Sequence, residues 1–143
     1  MPPGSRSRWR TNGVARRRLL EVDVIGSALP EVRVHEAVAY AAASAGVDDG
    51  HVAVEFVSPE RIAELNLQWR GKAGPTDVLS FPVDEDGPSV GVRELGDVVI
   101  CPEETADLVE AVVHGVLHLT GMDHETDEGE MLALQAEIRS WLK

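Results

Sequence analysis

Residues 114–124 read HGVLHLTGMDH and place three histidines at H-x3-H-x5-H spacing. His114 and His118, four apart on a predicted helix, stack on one face, so both rings reach one ion. Gly121 suits the left-handed conformation that ends a helix, and the chain can then fold back to bring His124 to the same ion. Three neutral imidazoles leave a fourth tetrahedral position for water or substrate, as in a catalytic zinc site. Zn2+ suits three imidazoles best; nickel, copper and cobalt are the other divalent transition metals such donors accept. A zinc peptidase carries a glutamate directly after its first histidine as general base, and here that position is Gly115. Asp123 has two readings, orienting a ligand ring or forming the turn after Gly121. His35 and His51 lack such company and read as ordinary surface or structural residues.

The elements that must position these side chains follow from periodicity and punctuation. LEVDVI (20–25) alternates apolar and charged residues and predicts a strand. Pro30 opens a helix that Gly46 stops, with Val34, Ala37, Val38 and Ala41 on one face. HVAVEFV (51–57) is a second strand. Ser58 caps the next helix, Pro59 opens it, Ile62, Leu65 and Trp69 form its apolar stripe, and Gly71 ends it. KAGPTD (72–77) is a turn, DVLSFPV (77–83) a short strand, residues 84–95 a polar mobile stretch, and GDVVI (96–100) a strand. The spacing predicts one helix from Pro102 to Thr120 and a last one over 127–142, with Asp127 and Glu130 as a capping box and Met131, Leu134, Ile138 and Leu142 at helical spacing. The order β-α-β-α-β-loop-β-α-α indicates an α/β (α+β) class: a single small domain, a mixed four-stranded sheet packed with helices, one of which carries H-x3-H. Strand order is not legible.

The bulk composition bounds the function. The 143 residues, 43% of them hydrophobic, suffice for one core. There is no membrane-length apolar run and no signal-peptide pattern, and the single Cys101 reads as a small buried side chain at a strand end. A cytoplasmic protein that contacts no membrane is expected. Arg6, Arg8, Arg10, Arg16, Arg17 and Arg18 make residues 1–18 a basic, unstructured leader; residues 19–143 form the domain, with 7 basic against 25 acidic side chains, a net of −18. Such a body is a poor general binder of nucleic acid, so any RNA contact needs a local positive spot.

HGVLHLTGMDH resembles the histidine signature of the YbeY family of bacterial rRNA-maturation endoribonucleases. LNLQWRGKAGPTDVLSFP (65–82) and LGDVVICPE (95–103) resemble two further blocks of that family, in the same order. The resemblance covers nearly everything after residue 19. It implies a small α/β fold with His114, His118 and His124 on one metal, Arg70 and His114 as catalytic residues, and a hydrolase that cuts single-stranded RNA. It also implies work on the 3′ end of 16S rRNA and in ribosome quality control, on RNA rather than DNA. The implied partners are the small ribosomal subunit, a small-subunit ribosomal protein and the Era GTPase. Family members carry a longer connection between CPE and the histidine helix; here only ETADLVEA (104–111) separates Glu103 from Val112, and a single helix is expected to cover both.

Within that resemblance Arg70 suits the negative charge of a phosphorane, because guanidinium forks onto phosphate oxygens and stays charged. Without it, Arg70 reads as a helix-end residue paired with an acid. Lys72 reads as solvated surface, and Thr76, Asp77 and Ser80 as residues shaping the turn into the strand. Two rival functions stand beside the ribonuclease: a zinc peptidase-like hydrolase using Glu125 or Asp123 as base, and a non-catalytic ribosome-assembly factor that a metal stabilises.

Overall fold

The computed structural model describes residues 20–83 and 93–142. The basic leader and most of the stretch expected to be mobile lie outside them. β1 (Leu20–Ile25), α1 (Glu31–Ser44), β2 (Gly50–Phe56), α2 (Pro59–Arg70), β3 (Val78–Pro82), β4 (Glu94–Ile100), α3 (Leu108–Leu119) and α4 (Glu130–Trp141) follow in the predicted order. β4 begins two residues earlier than predicted, because Glu94 pairs with His51 of β2 and the Leu95 carbonyl accepts the Val83 N–H just past β3.

The sheet runs β1-β2-β4-β3. β1, β2 and β4 are parallel, and β3 lies antiparallel to β4 at the edge. Val22 pairs with Val52, and Val54 lies between Val24 and Val98. Period-2 alternation sends these valines to one face, where α1, α3 and α4 complete the main core. The opposite face is covered around Ile62 of α2, which packs with Leu79, Val99 and the buried Cys101.

Local chemistry sets the helix ends. Ser58 accepts the Arg61 N–H at 3.1 Å, the predicted cap. The predicted stripe of α2 is only partly realised: Ile62 is buried and Leu65 half-buried, but Trp69 is 63% exposed and Asn66 is buried instead. Asn66 donates to the Gly74 carbonyl at 3.0 Å and so ties down the turn that follows the helix.

The single helix expected over 102–120 is two elements. A short 3-10 turn, Pro102–Glu104, ends where the Thr105 hydroxyl returns to the Cys101 carbonyl. The chain is extended at Thr105, and α3 starts afresh behind Asp107, whose Oδ1 accepts the Glu110 N–H at 3.1 Å. Side-chain hydrogen bonds of Thr and Asp compete locally with helix continuation, and here they win. The capping box of α4 is also displaced. Asp127 accepts from the N–H groups of Gly129 and Met131, and Glu130 accepts from Glu128 rather than from Asp127.

Candidate metal centre

α3 is apolar over most of its circumference. Val109, Val112, Val113, Val116, Leu117 and Leu119 are buried, and each such side chain contributes about 1.5–3 kcal/mol relative to exposure. That burial fixes the rotation of the helix and leaves His114 and His118 half-buried on its remaining face. After Thr120, Gly121 takes φ 105°, which a residue with a Cβ rarely adopts, and the chain turns back. His124 then closes a triangle of rings, with centroids 4.7, 5.1 and 5.2 Å apart. One nitrogen from each ring lies within 4.8 Å of the others. The shortened connection upstream has not splayed the three side chains.

Two of the rings are held from behind. Nδ1 of His114 donates to Oε1 of Gln135 on α4 at 2.7 Å, and Nδ1 of His118 donates to the Met122 carbonyl at 3.0 Å. Both partners are acceptors, so each Nδ1 carries the proton and each Nε2 keeps its lone pair. Nδ1 of His124 is buried without a hydrogen-bond partner among the described residues. A buried, unsatisfied nitrogen costs about 1–3 kcal/mol unless something binds it. Burial, and then the neighbouring His114 ring, push the pKa of His118 down against the pull of the Met122 carbonyl, which favours the neutral form a metal needs. The residues therefore fit a metal ion: three imidazole donors, two with their tautomer set, and one orphaned buried nitrogen in the same group.

The rings open onto a cavity of about 660 Å³. Arg70, the last residue of α2, lines it and has no ion-pair partner among the described residues, so the acid expected beside it in the plainer reading is not found there. Lys72 is exposed and does not line the cavity, in keeping with a solvated role. Thr76, Asp77 and Ser80 line it while also shaping β3. Asp77 Oδ1 accepts the Val78 N–H at 2.8 Å, and the Ser80 hydroxyl donates to the Gly115 carbonyl at 3.0 Å. Asp123 forms the turn: its carboxylate accepts the Glu125 N–H, and its carbonyl accepts from Thr126 and Asp127. Glu125 lines the cavity from an exposed position.

Gln135 is absent from the sequence reading. Its signal was a polar residue set into the apolar stripe of α4, four after Met131 and three before Ile138. The structure also sharpens the meaning of Gly115. A Cβ there would lie 2.4 Å from Cγ1 of Val98 on β4, so this position faces the sheet and not the cavity. The glutamate of a zinc peptidase is missing, and the packing has no room for it.

The fold and the site together define a small α/β protein with a metal-capable three-histidine group and, on the same cavity, an arginine with no ion-pair partner among the described residues. The chain belongs to the Endoribonuclease YbeY family, whose family model matches residues 27–143. It is 41% identical over 120 residues to an Endoribonuclease YbeY from Persephonella marina, covering 73% of this chain and 78% of that one. Its identity to an Endoribonuclease YbeY from Corynebacterium glutamicum is 36%, covering 82% of this chain and 65% of that one, so the chain spans just under two thirds of the longer relative. The solution structure of TM1509 from Thermotoga maritima resembles it with a TM-score of 0.52 and 30% identity, over 82% of this chain and 85% of that one. No helix among the described residues is long and apolar enough to cross a membrane.

Proposed function

We propose that the protein is a Zn2+-dependent endoribonuclease that cuts single-stranded RNA during 3′-end maturation of small-subunit rRNA and in ribosome quality control. One observation carries the reading: three imidazoles with two tautomers fixed share a cavity with an arginine that has no ion-pair partner among the described residues. The name borne by the relatives, Endoribonuclease YbeY, supports the reaction class. His114, His118 and His124 would hold the ion. When bound, zinc supplies Lewis acidity toward a phosphoryl oxygen and makes water reactive near neutral pH.

The chain's own residues do the rest. Arg70 binds the scissile phosphate and stabilises the charge that gathers on its oxygens. Gln135 and the Met122 carbonyl keep the protons of His114 and His118 on Nδ1, so neither ring drifts to the wrong tautomer. His114 joins the substrate side to this anchoring, since it lines the cavity and bonds to α4. At Gly115 no general base fits, and Asp123 is engaged in its turn, which leaves the peptidase alternative only the exposed Glu125.

The acidic domain of residues 19–143, with a local positive site at the cavity, binds bulk RNA weakly and depends on partners for placement. We assign the small ribosomal subunit, a small-subunit ribosomal protein and the Era GTPase to that role, in the cytoplasm. The test is cleavage of a small-subunit rRNA 3′-end precursor by metal-stripped and zinc-reloaded protein, wild type beside Arg70→Ala. Activity that returns with zinc and fails in the variant is expected. A well-folded, zinc-loaded protein that leaves both the naked precursor and the precursor on its subunit intact sinks the enzyme reading in favour of an assembly factor.

A further inference from the structure

Trp69 immediately precedes Arg70 in the last turn of α2. An isolated exposed apolar residue needs no explanation, but three features set this one apart. Its neighbour in the chain is the arginine of the cavity. Its ring is steadied by Phe81 of β3, with centroids 6.0 Å apart and planes at 71°. That edge-to-face contact orients an indole that stays 63% exposed. Finally, Phe81 belongs to the strand whose Val78, Leu79 and Ser80 wall the cavity, and β3 is the sheet edge. The last turn of α2 thus carries, in consecutive residues, an oriented and exposed aromatic ring and an arginine with no ion-pair partner among the described residues, a pair that matches one nucleotide unit: phosphate to the cation, base to the ring.

We propose that Trp69 is a base-stacking platform that holds the nucleotide adjoining the phosphate bound by Arg70, and so leads single-stranded RNA across the β3 edge to the three histidines. The proposal rests on the ribonuclease reading and supplies its strand preference. A base within a duplex is already stacked on its neighbours, whereas an unpaired base has a face to give.

The experiment compares wild type, Trp69→Ala and Trp69→Phe on a single-stranded oligouridine and on the same oligomer with abasic sites. Trp69→Ala is expected to raise KM for oligouridine about ten-fold with a smaller change in kcat, Trp69→Phe to keep most of the affinity, and the abasic oligomer to bind wild type and Trp69→Ala alike. The chain has three tryptophans, so Trp9→Phe with Trp141→Phe leaves Trp69 as the only indole. Its fluorescence is expected to be quenched by oligouridine and not by the abasic oligomer. Equal losses on both oligomers would reduce Trp69 to a structural residue and overturn the proposal. An unchanged KM with no quenching also overturns it and leaves the exposed ring to a protein partner. If base-dependent quenching persists while wild type cleaves no RNA at all, the ribonuclease reading fails and the platform stands.

Discussion

Oε1 of Gln135 lies 2.7 Å from Nδ1 of His114, a bond that joins α4 to α3 at the three-histidine group. It fixes both the ring's orientation and which nitrogen is free. Gln135→Leu keeps the volume but removes the acceptor, and is expected to weaken zinc binding about 10- to 100-fold. Competition with a metal-sensitive dye reads this directly. Equal zinc affinity in the variant would show that the bond does not set the donor.

Arg70→Ala is expected to lower kcat about 100- to 1000-fold, the size of a lost charge-stabilising donor, while zinc content stays at the wild-type level. Arg70→Lys should recover only part of the loss, because an ammonium cannot reproduce the planar fork. A variant that loses zinc as well would mean that Arg70 supports the site's structure and not its chemistry.

Gly115→Ala places a methyl group against Val98, a stiff β-branched neighbour in the core. The expected cost is about 1–3 kcal/mol, read by denaturant unfolding. Gly115→Glu is expected to unfold the protein and to confer no peptidase activity. Wild-type stability in the alanine variant would show that α3 can lift off the sheet.

Asp107 caps α3 through Oδ1 and accepts the Arg139 Nε–H on Oδ2 at 2.7 Å. Burial raises its pKa, but Arg139 and the Glu110 N–H outweigh that, and the net shift is downward. Its stabilisation is therefore present above the ordinary aspartate range and lost as pH falls through the depressed folded value. Asp107→Ala is expected to cost about 1 kcal/mol for the cap plus the ion pair, whereas Asp107→Asn keeps the cap. Unfolding curves for both, at neutral and acid pH, check the split; equal losses would mean that the cap adds nothing.

His51 bridges three strands: Nε2 meets Asp23 of β1 at 2.8 Å, and Nδ1 meets Glu94 of β4 at 2.8 Å. Glu94 and Asp23 raise its pKa against the opposing effect of burial, and Asp97, its own carboxyl raised by burial, faces the same patch. A raised folded pKa makes the contribution complete below about 6.5 and removes it as pH rises through the folded value. The stability gap between wild type and His51→Gln is thus expected to narrow from mildly acid to alkaline pH in thermal melts. A gap that widens in that direction would reverse the assigned charge state.

What the sequence determined by itself was local. Ser58, Gly121, the alternating valines and the H-x3-H pair act through neighbours within a few residues, so cap, turn, strands and the helical histidines were all legible. The resemblance carried by LNLQWRGKAGPTDVLSFP and LGDVVICPE added Arg70, which spacing alone left as a helix-end cation. The tertiary structure decided what depends on distant partners. The order β1-β2-β4-β3 rests on pairing between strands far apart in the chain. The break before α3 was missed because Thr105 and Asp107 turn their side chains onto the backbone in a run whose composition favours helix. Trp69 had the spacing of a core residue, yet its ring meets Phe81 of the edge strand β3 and stays 63% exposed. Gln135 meets His114 across 21 residues, and Gly115 meets Val98 only because α3 lies on β4. Periodicity records which face of an element is buried, but the identity of the neighbour on that face is set by long-range packing.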